Sequence, residues 1–381
     1  MSYTKQDYKI ILAKRKKQRR QKRIFASMLA LAIVACAGMG AWAVLHPANV
    51  RSDNLSEPEQ SKNVELVSDT KNTIKNSDTI IMNVYGDRNT RVLKGEEYLE
   101  AGCHATDKQN RENISNVKTS GKVDTSKAGT YEVTYTATTA DGRTNSATRN
   151  VVVEDSFAKT DYVPVCMYHY VYDDSNKPEN LDNNWMHAST FEEELKYLSE
   201  NNYYYPSYEE LIGFVNGTHS LPDKSVILTF DDAMPQFLMT GVALLDKYKI
   251  PATSFVICND EDAKDKIMNY ASEYVQYQSH SYAMHRGGSG VGRGGVIHSS
   301  TKEQIMADQK KASDLLGTNV AYAYPFGDNN ETAHEALKEA GVKCAFTIDN
   351  RQIKAGDNLY ALPRVRVNGG FSLETFISQI S

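Results

Sequence analysis

The spacing of apolar positions changes several times along the chain. Residues 24–45 (IFASMLALAIVACAGMGAWAVL) are 22 residues without a charge, about the length that crosses a bilayer as a helix. Residues 46–77 are polar with no sustained period, as in a flexible linker. From 78 to 155 short alternating runs take over. Tyr131, Val133, Tyr135 and Ala137 alternate with polar residues, and Ala147, Arg149, Val151 and Val153 do so beyond the Asp141-Gly142 turn. That pattern predicts a β-hairpin, and the whole segment predicts a small all-β sandwich.

From residue 160 to 381 predicted strands and helices alternate: VPVCMYH, TFEEELKYLSENN, SYEELIGFVNG, SVILTF, FLMTGVALLDKY, ATSFVI, YVQYQ, a helix from Thr301 to about Leu316, VAYAY, ETAHEALKEAG and VKCAFTI. Thr190 with Glu193, Ser207 with Glu210 and Ser300 with Glu303 have capping-box spacing, and Gly217 closes the second helix. Repeated strand-helix units imply parallel strands joined by right-handed crossovers. Acidic and histidine residues recur after several different strands, which favours a barrel over an open doubly wound sheet.

Charge divides the chain. The first 23 residues carry ten Lys or Arg against the single acid Asp7, while the rest holds 33 basic and 47 acidic residues. A basic run directly before an apolar span reads as the cytoplasmic flank of a membrane anchor rather than a nucleic-acid arm, and it sends everything after residue 45 outside. Two other fates also export the chain: signal-peptide cleavage at AWA (41–43), or lipidation of Cys36 in IVAC. The apolar stretch runs on past Cys36 and exceeds the usual signal-peptide core, which favours a retained single-pass anchor. The remaining cysteines (103, 166, 258, 344) form no CxxC pair, so zinc ribbons and disulfide scaffolds are not expected.

Candidate chemistry gathers at three places. LTFDDA puts Asp231 and Asp232 directly after an apolar strand, and SHSYAMH brings His280 and His285 after another. One carboxylate and two imidazoles make a three-ligand set with open positions for a divalent cation, and the second carboxylate is then free to act as a general base. The plainer reading is that Asp232 caps the next helix. HRGGSGVGRGG (285–295) has no GK[ST] and reads as a flap or linker, not a nucleotide loop. His187 and Trp185 are candidates for a loop beside the site, with Trp185 stacking on a sugar ring, but residues leading into a helix are more often only structural. His104, His219, His298 and His334 read as surface residues, and the tyrosines at 203–205 and 208 as packing.

LPDKSVILTFDDA, SHSYAMH and AYAYPFGD, in that order, resemble the NodB-homology polysaccharide deacetylases, carbohydrate esterase family 4, over residues 160–381. VDTSKAGTYEVTYTATTADGRTNSATRNVVV resembles bacterial immunoglobulin-like surface modules, whose expected role is a spacer, with glycan binding the alternative. The resemblance implies a distorted (β/α) barrel, Asp231 as catalytic base, and Asp232, His280 and His285 as ligands of a divalent metal, zinc by default. It also implies that the backbone N–H of Phe326 holds the oxyanion. Histidine spacing and the VPVCMYH segment are similar to the branch acting on poly-N-acetylglucosamine, which makes His169 the candidate acid. Two departures matter: Ala323 stands where the family often has an Arg that orients the base, and LPRVRVNGG (362–370) replaces the usual leucine-histidine motif. Arg364 or Arg366 is therefore expected to supply the lost positive charge.

The resulting expectation is a metal-dependent N-deacetylase of N-acetylglucosamine-containing surface polysaccharide. It would be a monomer anchored in the membrane, acting outside the cell on a glycan polymer and binding no nucleic acid. Peptidoglycan fits the anchor and tether slightly better, and the exopolymer fits the histidine spacing. A catalytically silent wall-glycan-binding protein of the same fold is the alternative.

Overall fold

A computed structural model describes residues 77–381. The basic segment, the anchor with Cys36, and the linker up to residue 76 lie outside the described residues; among those described, no helix is long and apolar enough to cross a membrane.

Strands β1 (Ile80–Val84), β2 (Asn89–Leu93), β3 (Cys103–Asp107), β4 (Glu112–Ile114), β5 (Val117–Ser120), β6 (Gly129–Thr138) and β7 (Thr144–Glu154) form two sheets, ordered β1-β3-β4 and β2-β7-β6-β5. The alternation works as predicted: Val133, Tyr135, Ala137 and Val151 turn inward, against Ile80, Met82, Val92 and Ala105, and Val153 is buried too. The turn is longer than a two-residue hairpin. Residues 139–143 close it through Thr139 N–H to Arg143 O (2.9 Å), with Gly142 in the left-handed region (φ 85°). Arg149 also faces inward, fully buried. Its guanidinium donates to the carbonyls of Tyr85 (2.6 Å) and Asp87 (3.1 Å) and to the hydroxyls of Thr90 (2.6 Å) and Tyr135 (3.0 Å), so burial is matched by hydrogen bonds.

The second module contains β8 (Val165–Tyr168), β9 (Tyr170–Tyr172), β10 (Trp185–His187), β11 (Ile227–Phe230), β12 (Ala252–Val256), β13 (Val275–Ser279), β14 (Ala321–Ala323), β15 (Cys344–Phe346) and β16 (Val365–Arg366). Its helices are α1 (Ala188–Glu200), α2 (Tyr208–Val215), α3 (Val242–Tyr248), α4 (Ala263–Asn269), α5 (Lys302–Leu316), α6 (Glu331–Glu339) and α7 (Leu373–Ile380). Seven strands make one all-parallel sheet in the order β15-β14-β13-β12-β11-β8-β16. Nearly every residue of these strands is buried, as a parallel sheet covered on both faces requires.

The regular ladder stops between β15 and β16, and an irregular segment bridges the gap. Leu359 and Leu362 exchange backbone hydrogen bonds with Ala345 and Thr347 (2.8–2.9 Å), and three residues later Val365–Arg366 pairs with β8. The barrel is therefore distorted and closed at that side by the stretch 359–366.

Two expected helix starts shift. α1 begins at Ala188, and its N-cap is His187, whose ring nitrogen accepts from Ser189 N–H. α5 is capped by a Thr301–Gln304 box instead of Ser300–Glu303; either register satisfies the exposed N–H groups, and the Ser300 hydroxyl donates instead to the Val296 carbonyl (2.9 Å). The Ser207–Glu210 box and Gly217 stand as predicted.

The β-sandwich packs against the barrel. Asp87 N–H donates to Tyr205 O (2.7 Å), Asn83 to Ser272 O (3.2 Å), Asn113 to Leu315 O (3.2 Å), and Ser220 donates to Glu96 through both N–H and hydroxyl (2.9 and 2.7 Å). At Gly86 (φ 76°) a Cβ would stand 2.8 Å from Ser207 N, so only glycine permits this approach. His219 is consequently buried beside Glu96 (3.6 Å), not exposed as the sequence led us to expect. His104 and His334 are half-buried on Asn113 and Asn329, and His298 is half-buried too.

Candidate active site

Strands β11 and β13 flank β12, so their backbones run about 10 Å apart and their C-terminal ends lie on one rim. After β11 the ladder persists for one residue, with Asp231 N–H donating to Tyr168 O (3.1 Å). Asp232 (φ 71°) and Ala233 (φ 49°) then adopt left-handed backbone in succession. Side chains seldom tolerate this geometry, and it is found where function demands a turn at a strand end. After β13, His280 N–H donates to Val256 O (2.9 Å), and Ser281 (φ 71°) turns the chain back toward His285.

These turns aim three side chains at one point. His280 Nε2 and His285 Nε2 lie 3.5 and 3.3 Å from Asp232 Oδ1, and the candidate ligand atoms of the three residues all fall within 4.8 Å of one another. His280 Nδ1 sits 2.7 Å from the Ala323 carbonyl, where it must donate, leaving Nε2 as a free lone pair. Burial pushes His280 down to about 4, while Asp232 overcomes burial at His285 and raises it. At Asp232 burial opposes ionisation, but the two histidines outweigh it and hold the carboxyl far below its usual range. Two imidazole nitrogens and one carboxylate oxygen converging at this spacing fit a divalent cation of the zinc type.

Asp231 has a different partner. Arg364 grips it in a fork, Nη1 to Oδ1 and Nη2 to Oδ2, both 2.8 Å, and both groups are buried. The guanidinium is itself held by the Thr347 carbonyl (2.9 Å) and the Thr229 hydroxyl (3.2 Å). Burial would raise the Asp231 carboxyl; Arg364, then His280, reverse this and keep it below the usual carboxylate range. Of the two arginines considered, Arg364 therefore faces Asp231, and Arg366 turns away to Asn184 (2.6 Å) and Asn368 (3.1 Å).

His169 follows β8 at the same rim, with its ring edge-on to Tyr170 (5.6 Å). Burial lowers it, against the pull of Asp231 and Asp232. Phe326 also adopts left-handed backbone (φ 62°), and its half-exposed ring lies 4.8 Å from His285.

Other candidates have structural roles. Trp185 is buried in the parallel β9–β10 ribbon against Tyr170 (4.4 Å) and Tyr172 (6.3 Å), so its faces are used in packing. His187 caps α1. The glycine-rich loop is pinned by buried Asp328, which accepts from the N–H groups of Arg293 (2.7 Å) and Gly295 (2.6 Å). One site residue escaped the sequence: Tyr170, whose hydroxyl donates to Asp232 Oδ2 (2.7 Å). Its only signal was adjacency to His169.

A buried, arginine-held carboxylate beside two imidazoles and a second carboxylate, at the rim of a parallel α/β sheet, fits a metal-assisted hydrolase. Residues 218–345 match the family model for polysaccharide deacetylase, and residues 82–153 match that for the Ig-like domain of bacterial surface proteins. The chain thus carries a polysaccharide deacetylase domain, a hydrolase of amide bonds, behind a bacterial surface immunoglobulin-like domain. It is 24% identical over 216 residues to the poly-beta-1,6-N-acetyl-D-glucosamine N-deacetylase of Staphylococcus aureus, covering 52% of this chain and 73% of that protein. The Staphylococcus epidermidis protein of the same name is 24% identical over 205 residues, 50% of this chain and 70% of that one. In fold it is similar to the Streptococcus pyogenes deacetylase PplD in complex with acetate (TM-score 0.50, 23% identity), covering 59% of this chain and 100% of that one.

Proposed function

We propose that this chain removes acetyl groups from N-acetylglucosamine residues of a surface exopolymer of the poly-N-acetylglucosamine type. The observation that carries the reading is the ionised, arginine-gripped Asp231 standing next to the Asp232–His280–His285 cluster. The relatives' names support the exopolymer over peptidoglycan, in line with the five-residue histidine spacing.

Asp232, His280 and His285 would hold a divalent cation, zinc by the chemistry of the donors, and its Lewis acidity would act on the acetamide carbonyl and on water. Asp231 is the base: Arg364 keeps it ionised at neutral pH, and it accepts the proton as water attacks the carbonyl carbon. The Phe326 N–H, on left-handed backbone beside His285, donates to the developing oxyanion. His169 protonates the departing nitrogen as the C–N bond breaks. The proton taken by Asp231 and the one given by His169 balance, and the products are acetate and a glucosamine unit.

Residues 24–45 fit a retained anchor that holds the catalytic domain outside the membrane. Fractionating cells into membrane and soluble pools, with and without detergent, tests the anchor. A silent binding protein has no use for a buried arginine that keeps Asp231 charged. Acetate release from the β-1,6-linked exopolymer and from purified peptidoglycan, measured side by side, tests the function: release from the exopolymer is expected to be faster, and release from neither substrate defeats the proposal.

A further inference from the structure

We propose that Tyr170 is a positioning residue for the cation site: by occupying Asp232 Oδ2, it leaves Oδ1 as the single carboxylate oxygen that meets the two histidines. This rests on the reading of Asp232, His280 and His285 as a cation site.

An ionised carboxylate only accepts hydrogen bonds, so the Tyr170 hydroxyl must be the donor in its 2.7 Å contact with Oδ2. Both histidine Nε2 atoms approach the other oxygen, Oδ1, at 3.5 and 3.3 Å. A carboxylate rotates readily about its last bond and can present one oxygen or two. Fixing Oδ2 removes that choice.

Tyr170 is in turn held through its ring and its backbone. It pairs with Trp185 in the β9–β10 ribbon, the two rings are 4.4 Å apart, and its N–H donates to Asn184 O (3.1 Å). The ribbon is tied to the segment that carries Arg364. Arg366 donates to the Asn184 side chain (2.6 Å), and Gly369 N–H donates to Asn183 O (3.0 Å). Gly369 passes so close that a Cβ would sit 1.7 Å from the Trp185 carbonyl, which excludes every other residue. Arg364 fixes Asp231 and Tyr170 fixes Asp232, and one tied assembly supports both.

Outer partners of metal ligands typically contribute about 10–100-fold to metal affinity. Zinc affinity of the cation-free protein, measured by competition with a chromophoric chelator, is therefore expected to fall by about that factor in Tyr170→Phe. The ring is kept, and an unfolding curve of the cation-free variant checks its integrity. Adding Tyr170→Phe to Asp232→Ala is expected to cause little further loss, because the phenol acts through that carboxylate. Unchanged zinc affinity in Tyr170→Phe overturns the proposal. So does a fall in kcat with unchanged affinity, which would place the phenol on the substrate. If the unaltered protein takes up no zinc, the cation site itself is wrong, an outcome distinct from both.

Discussion

Arg364 and Asp231 are 133 residues apart in sequence, yet they meet through two parallel 2.8 Å hydrogen bonds in a fully buried fork. Removing one partner of such a pair leaves an uncompensated charge and typically costs about 3–5 kcal/mol. Arg364→Met is expected to lose stability of that order in denaturant unfolding. The sign for activity also follows. Arg364 holds the Asp231 carboxyl below its usual range, so its loss raises that value and moves the acidic limb of the kcat/KM profile to higher pH. A profile that stays in place removes Arg364 from the control of the base.

Asp231→Asn keeps the side-chain size and removes the proposed proton acceptor, while leaving the buried Arg364 charge unmatched. Acetate release should fall by about 10²–10⁴-fold, the usual contribution of a general base, while zinc uptake measured on the same sample stays close to that of the unaltered protein. Loss of zinc together with activity would move Asp231 into the ligand set.

Chelation offers a complementary check. Dialysis against a strong chelator is expected to abolish acetate release, and stoichiometric zinc to restore it. In His280→Ala, where one of the three converging nitrogen and oxygen donors is gone, restoration should need far more zinc. Full activity after exhaustive chelation rules out a metal-dependent reaction.

Glu194 gives a stability prediction independent of the active site. It lies buried on α1, accepts from the Tyr168 hydroxyl (2.8 Å), and burial pushes its carboxyl up to about 8. A carboxyl raised in the folded state stabilises fully below its unfolded value and progressively less as pH climbs toward the folded one. Part of the decline in Tm between about pH 4.5 and pH 8 should therefore vanish in Glu194→Gln. Parallel Tm curves for the two proteins would contradict this.

The seam between the sandwich and the barrel predicts shared unfolding. Residues 77–381 should melt in a single transition. Gly86→Val, forcing a side chain into left-handed backbone against Ser207, should split it in two or lower it by several °C, as about 1 kcal/mol or more of strain would. Circular dichroism together with tyrosine fluorescence distinguishes the cases.

Much of this was readable beforehand because strand ends announce themselves. Apolar runs followed at once by Asp231, Asp232 or His280 place those side chains on a rim, and period-two alternation placed the sandwich core. What escaped was long-range geometry. A tyrosine beside a strand reads as packing, and nothing local reveals that Tyr170 reaches Asp232, 62 residues further on. His219 looked exposed because its burial depends on the other module. Alternation could not choose between Arg364 and Arg366, because residues two apart share a face of a strand; Arg364 lies just before β16, where Thr347 and Asp231 receive it, while Arg366 within β16 goes to Asn184 and Asn368.

The stretch 359–366 that bridges β15 and β8 also delivers Arg364, the counter-charge of Asp231. Without it Asp231 would lose its arginine partner, whereas Asp232 would keep His280, His285 and Tyr170. A molecule truncated before Arg364 therefore lacks at once the end of the segment that links β15 to β8 and the guanidinium that balances Asp231.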